Sequence, residues 1–92
     1  TKLHSFSRMR LKFFGELGMR IGRNVEFHVS GPITFKELVE ALKEKFPHAK
    51  EEFDAIEFYI VSVNGRIVKK DELEEITLSD DDEVIFMFWA AL

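Results

Sequence analysis

From Met9 the chain alternates. Met9, Leu11 and Phe13 fall on one side and Arg10, Lys12 and Phe14 on the other, the two-residue period of a half-buried strand. Glycines 15, 18 and 22 break the pattern and predict a loop with room for one helical turn. Alternation resumes over residues 24–29, with Val25, Phe27 and Val29 inward and Glu26 and His28 outward. These first two strands are expected to pair antiparallel. Ser30-Gly31-Pro32 reads as a turn. Thr34 then has the character of a helix N-cap, and Glu37 three residues on completes a capping box. Phe35, Leu38, Val39, Leu42 and Phe46 follow at helical spacing, while Lys36, Glu40, Lys43 and Glu44 face water. Pro47 stops the helix. Its apolar stripe should cover one face of a sheet.

The second half is shorter-ranged. Residues 48–57 are charged, with Phe53 and Ile56 as anchors, and predict a short helix or an ordered loop. Residues 58–63 are β-branched and aromatic, hence a strand. Asn64-Gly65 is the favoured pair for a two-residue type I′ hairpin, because both positions need positive φ. Residues 66–69 return as a short edge strand whose lysine discourages further pairing. Residues 70–79 form a polar connection pinned by Leu73, Ile76 and Leu78. Asp80-Asp81-Asp82 reads as an acidic turn before the apolar run from Val84 to Leu92. That run is too short to span a bilayer. Both its faces are apolar, which suits a central strand covered on one side and adhesive on the other.

Strand, strand, helix, strand, strand, strand has one compact solution. The first and last strands lie parallel at the centre, the hairpins flank them, and the helix crosses one face. The expected fold is α+β: a ubiquitin-like β-grasp, a mixed five-stranded sheet with one main helix packed on one face. Residues 1–7 lack periodicity and are expected to be a disordered N-terminal segment, with the domain over 8–92.

Composition narrows the chemistry. The 92 residues suit one domain, and no cysteine is present to supply a disulfide, a thiolate metal site or a thiol nucleophile. No charged-apolar-small signal sequence opens the chain, and the default expectation is a cytoplasmic protein. Net charge is −4, but residues 1–23 carry six basic side chains against one acid, and residues 24–92 seven against sixteen. An acidic body disfavours nucleic acid as the main partner, since phosphate binding needs cations. The basic beginning either meets an acidic partner or is a solvated surface. His4, His28 and His48 are scattered without ligand spacing, so no metal site is expected, and His28 reads as solvated. The Asp80–Glu83 run lacks the alternating ligands and the glycine of a calcium loop. No serine, threonine or tyrosine has a histidine in a pattern that would make it a nucleophile. Catalysis within this domain is therefore not expected.

Met9-Arg10-Leu11-Lys12-Phe13-Phe14-Gly15-Glu16-Leu17 with Ile21-Gly22-Arg23 resembles the opening of the small sulfur-carrier subunit of molybdopterin synthase. Thr34-Phe35-Lys36-Glu37-Leu38 running to Lys45-Phe46-Pro47, then Val63-Asn64-Gly65-Arg66, then residues 78–86 resemble it in the same order and spacing. The resemblance covers nearly the whole chain from Met9 and is to the MoaD/ThiS-like branch of the ubiquitin-like folds. It implies a sulfur carrier in molybdopterin or tungstopterin cofactor synthesis. The terminal carboxylate of such a protein is adenylated by a ubiquitin-activating-like adenylyltransferase and converted to a thiocarboxylate. It then gives its sulfur to a pterin precursor in the pocket of a larger synthase subunit. No cofactor belongs to the carrier itself; ATP and Mg²⁺ belong to the activating enzyme.

Family members end in Gly-Gly, because a carboxylate threading a narrow channel needs a backbone without side chains. Here Ala90, Ala91 and Leu92 occupy the positions of the small residue and the two glycines, and Met87 and Phe88 replace the usual prolines. Three readings stay open: a carrier with an atypical tail, a relative that has lost the chemistry and remains a non-catalytic binding module, or a trimmed product of a longer chain. The reactive group, in a carrier, would be the carboxylate of Leu92. If Val84, Phe86 and Phe88 point at the helix, alternation sends Ile85, Met87 and Trp89 to the other face, where Phe14 joins them. Phe14, Ile85, Met87, Trp89, Ala90, Ala91 and Leu92 are the expected partner-binding residues. The alternatives are that residues 48–57 fold over this face, or that the protein self-associates through it.

Overall fold

β1 (Met9–Phe13) and β7 (Glu83–Phe88) lie side by side and parallel, Leu11 opposite Val84 and Phe13 opposite Phe86, in a computed structural model that describes residues 8–88. The N-terminal segment 1–7 and the tail residues 89–92 lie outside the described part. β2 (Asn24–Phe27) pairs antiparallel with β1, β4 (Tyr59–Val63) antiparallel with β7, and β5 (Arg66–Val68) antiparallel with β4. The sheet order is β2-β1-β7-β4-β5, so the closing strand is central. With α2 (Phe35–Lys45) packed across one face, this is the ubiquitin-like β-grasp expected from the hydrophobic pattern.

Alternation decides what is buried. Met9, Leu11 and Phe13 on β1, Val61 on β4 and Val84 and Phe86 on β7 are at most 2% exposed. They meet Phe35, Leu38, Val39 and Leu42 from α2, all buried. Both halves of the capping box form at the start of α2. The Glu37 N–H donates to Thr34 Oγ1 at 3.1 Å, and the Thr34 N–H donates to Glu37 Oε1 at 2.9 Å. Two orphan donors of the helix end are thereby satisfied. The helix stops at Lys45, with Phe46 as C-cap and Pro47 opening a 3₁₀ turn.

Several local expectations change. The glycine-interrupted stretch forms a six-residue helix, α1 (Glu16–Ile21), because Leu17 is fully buried in the core and pins it. Residues 48–57 contain α3 (Lys50–Asp54), and its Phe53 packs edge-on against Phe13 at 6.1 Å. That segment therefore lies on the helix side and does not cover the opposite face. Phe58 belongs to a 3₁₀ turn and is 53% exposed, so the fourth strand begins at Tyr59. The connection over 70–79 is more ordered than its polarity suggested. It contains α4 (Lys70–Leu73), and β6 (Thr77–Leu78) pairs with β3 (Ile33–Thr34) in a separate two-stranded sheet. Leu73 and Leu78 are buried there.

Candidate functional site

The face of the sheet opposite α2 is built by the side chains that alternation expels from the core. β7 contributes Ile85 and Met87, both half-buried. The β1–β7 register sets Lys12 beside Ile85, and the next position along places Phe14 in the row of Met87. The Phe14 N–H donates to the Phe86 carbonyl at 2.9 Å, which extends the pairing to that point. Three of the expected partner-binding residues, Phe14, Ile85 and Met87, thus share one face. The other four, Trp89, Ala90, Ala91 and Leu92, lie outside the described residues.

Two apolar members of this face were not anticipated. Ile60 lies opposite Met87 across the β4–β7 pairing. Ile67 lies opposite Ser62, which itself lies opposite Ile85, and Ile67 is 61% exposed. The sequence did hold the signal for Ile67. The two-residue Asn64-Gly65 turn dictates Val63 opposite Arg66 and Ser62 opposite Ile67. The apolar zone is edged on the β1–β2 side by cations. Lys12 reaches Glu83 at 3.7 Å, Arg10 is exposed, and the Arg23 guanidinium lies 4.5 Å from the centre of the Phe14 ring. An exposed apolar centre with a charged border is the composition of a protein-docking surface.

At one end of this sheet the described part of β7 reaches Phe88, 36% exposed. Its ring packs on Tyr59 at 5.2 Å, tilted by 56°. Burial pushes the Tyr59 hydroxyl up from its ordinary pKa, opposed by the Leu17 N–H that it accepts at 3.3 Å.

At the other end the acidic turn is a network rather than a solvated run. The Ser79 N–H donates to Asp82 Oδ2 at 2.8 Å, and Asn64 Nδ2 donates to Asp82 Oδ1 at 2.8 Å. The Glu83 N–H donates to Asn64 Oδ1 at 2.9 Å, tying the turn to the β4–β5 hairpin. His28, expected to be solvated, has its Nδ1 2.7 Å from Asp80 Oδ2. Asp80 Oδ1 also accepts the Val29 N–H at 2.8 Å. The Val29 N–H foremost, then His28 and the Met9 N–H, hold the Asp80 carboxyl below its usual range against partial desolvation.

Among the described residues, no group of three or more His, Asp or Glu side chains could hold a metal ion. A hollow of about 190 Å³ on the helix side is floored by Phe35, Ile56, Tyr59 and Leu73, with Lys70 at its rim. Its lining offers no nucleophile paired with a base. No helix among the described residues is long and apolar enough to cross a membrane.

The site is thus an apolar sheet face with a charged border, and the hollow lined by Phe35, Ile56, Tyr59 and Leu73 holds no paired nucleophile and base. No curated protein matches the chain. A family model does match, described as the ThiS family, over residues 11–88. That span begins in β1, ends at the last residue of β7 and includes every element between them. The chain belongs to the ThiS/MoaD-like family of sulfur carriers, whose members work as carrier or adaptor subunits rather than as catalytic enzymes.

Proposed function

We propose that this protein is a MoaD-like sulfur carrier in molybdopterin or tungstopterin cofactor synthesis. It docks a larger synthase-type subunit and a ubiquitin-activating-like adenylyltransferase through the outer sheet face and the tail. The observation that carries the reading is the coincidence of family membership over residues 11–88 with an apolar face on the closing strand that no helix among the described residues covers. Phe14, Ile85 and Met87, with Trp89, would form the docking surface, and residues 90–92 would enter the partner's channel. In the chemistry the family implies, the terminal carboxylate attacks the α-phosphate of ATP and pyrophosphate leaves. A sulfur nucleophile then displaces AMP to give the thiocarboxylate. This chain supplies the carboxylate and its placement; ATP and Mg²⁺ are held by the activating enzyme. A cytoplasmic setting goes with this reading.

Intact-mass analysis after incubation with the cognate activating enzyme, ATP and a sulfur donor tests it. Adenylate or thiocarboxylate on the chain is the expected product. Absence of both, while a variant with glycine at 91 and 92 reacts, refutes the carrier role for this sequence.

One feature favours a second reading: Ala91 and Leu92 stand where the resemblance places two glycines. A side chain at either position obstructs a narrow channel. The protein would then be a non-catalytic ubiquitin-like binding module using the same face. Binding unchanged by deletion of residues 90–92 but lost in Trp89→Ala supports that reading over the first.

A further inference from the structure

Phe88, the last described residue of β7, lies against the residue that precedes α1. Gly15, the residue before this helix, has φ of 72° and ψ of −148°. A Cβ on Gly15 would lie 2.8 Å from the Cβ of Phe88 and 3.8 Å from the Tyr59 hydroxyl. The backbone of Gly15 therefore touches the last described residue of the strand directly. Three contacts keep α1 in that position. The Leu17 side chain is fully buried. The Leu17 N–H donates to Tyr59 Oη, joining α1 to β4 across 42 residues of sequence. Gly18 sits so close to β1 that a Cβ there would fall 2.4 Å from the Phe13 carbonyl oxygen. On its other side, the Phe88 ring packs on the Tyr59 ring.

Phe88 thus packs against a backbone that admits no side chain and against an aromatic ring whose hydroxyl accepts the N–H of Leu17, two residues on from Gly15. We propose that Gly15 and Tyr59 are positioning residues: they fix Phe88, and through it the position from which residues 89–92 continue, without themselves taking part in chemistry at a terminal carboxylate. The geometry stands by itself; its consequence for reactivity rests on the carrier reading. A carboxylate that must reach into a partner's active site depends on its point of departure. Misplacement by a fraction of a residue length costs rate rather than binding.

None of the 92 residues is a cysteine, so two can be placed cleanly. Asp81→Cys and Ala90→Cys, nitroxide-labelled, report by pulsed electron spin resonance the distance from the turn before β7 to a point beyond Phe88. Tyr59→Phe keeps the ring contact and removes only the tether. It is expected to widen the distance distribution roughly twofold, and Gly15→Ala to shift its mean. With the activating enzyme, Tyr59→Phe on the unlabelled chain is expected to lower kcat of adenylation roughly tenfold or more at unchanged KM. If Gly15→Ala does not fold, Tyr59→Phe decides. A lowered unfolding midpoint with unchanged distance distribution and kcat overturns the proposal, since that is the result of packing alone. If neither the native chain nor its glycine-tailed variant is ever adenylated, the carrier reading fails, and the distance distribution still decides the positioning role.

Discussion

Phe13 and Phe86 stack on adjacent parallel strands, their ring centres 4.9 Å apart and their planes 20° from parallel. Phe35 from α2 packs on the far side of Phe86 at 6.0 Å, and Phe53 meets Phe13 edge-on. This aromatic cluster joins the two central strands to the main helix and to α3. Phe86→Ala removes one of its two inner members from a fully buried site. The expected loss is about 3–5 kcal/mol of folding stability, transfer and cavity terms together. For a domain of this size that is a large share of the total. Denaturant unfolding checks it; a loss below about 1 kcal/mol would mean the site collapses around the gap.

The hairpin and the acidic turn stand or fall through Asn64. Its φ of 52° and that of Gly65, 87°, are those of the type I′ turn expected from Asn-Gly. The same side chain donates to Asp82 and accepts from the Glu83 backbone. Asn64→Ala therefore loses the turn preference and both bonds, at a cost of about 1–3 kcal/mol. Asn64→Gly keeps the turn and loses only the bonds. A chemical denaturation series should rank native above glycine above alanine; equal stabilities for the two variants would make the backbone preference irrelevant here.

Asp80 gives a pH dependence of defined sign. Its folded-state pKa lies below the unfolded value, because the charged form accepts the Val29 N–H and neighbours His28. Stability from this group is therefore fully present above the unfolded carboxylate pKa and is lost as pH falls through the lower folded value. Asp80→Asn should be less stable than the native chain at neutral pH, and the gap should close in the acid range. Thermal unfolding across pH reads this directly; a gap that persists to strongly acidic pH would assign the effect to hydrogen-bond geometry rather than charge.

On the outer face, polar replacement should separate binding from folding. Ile67 is on the edge strand and mostly exposed, so Ile67→Asp should change stability by no more than about 0.5 kcal/mol. Placed in a docking interface, it is expected to weaken binding to an activating enzyme or synthase subunit roughly tenfold or more. Titration calorimetry of that complex distinguishes the two effects. Binding as tight as that of the native chain would remove β5 from the docking surface.

Much of this protein follows from local pattern. The alternation of Met9, Leu11 and Phe13, the Thr34–Glu37 capping box, the Asn64-Gly65 turn and the apolar closing run each carry a short-range physical rule. Together they left the β-grasp as the compact arrangement. Side-chain period also assigned Phe14, Ile85 and Met87 to the face away from α2. What sequence could not supply were the contacts between distant segments. α1 exists because Leu17 finds the core, although glycines around it oppose a helix. Phe53 chooses the helix side because Phe13 waits there, so residues 48–57 do not cover the outer face. The Asp80–His28 pair, the Tyr59–Leu17 tether and the approach of Gly15 to Phe88 each join residues 42 or more positions apart. No periodicity encodes such pairings. They come into being only when the sheet sets β1 beside β7, and β7 beside β4, bringing together residues far apart in sequence.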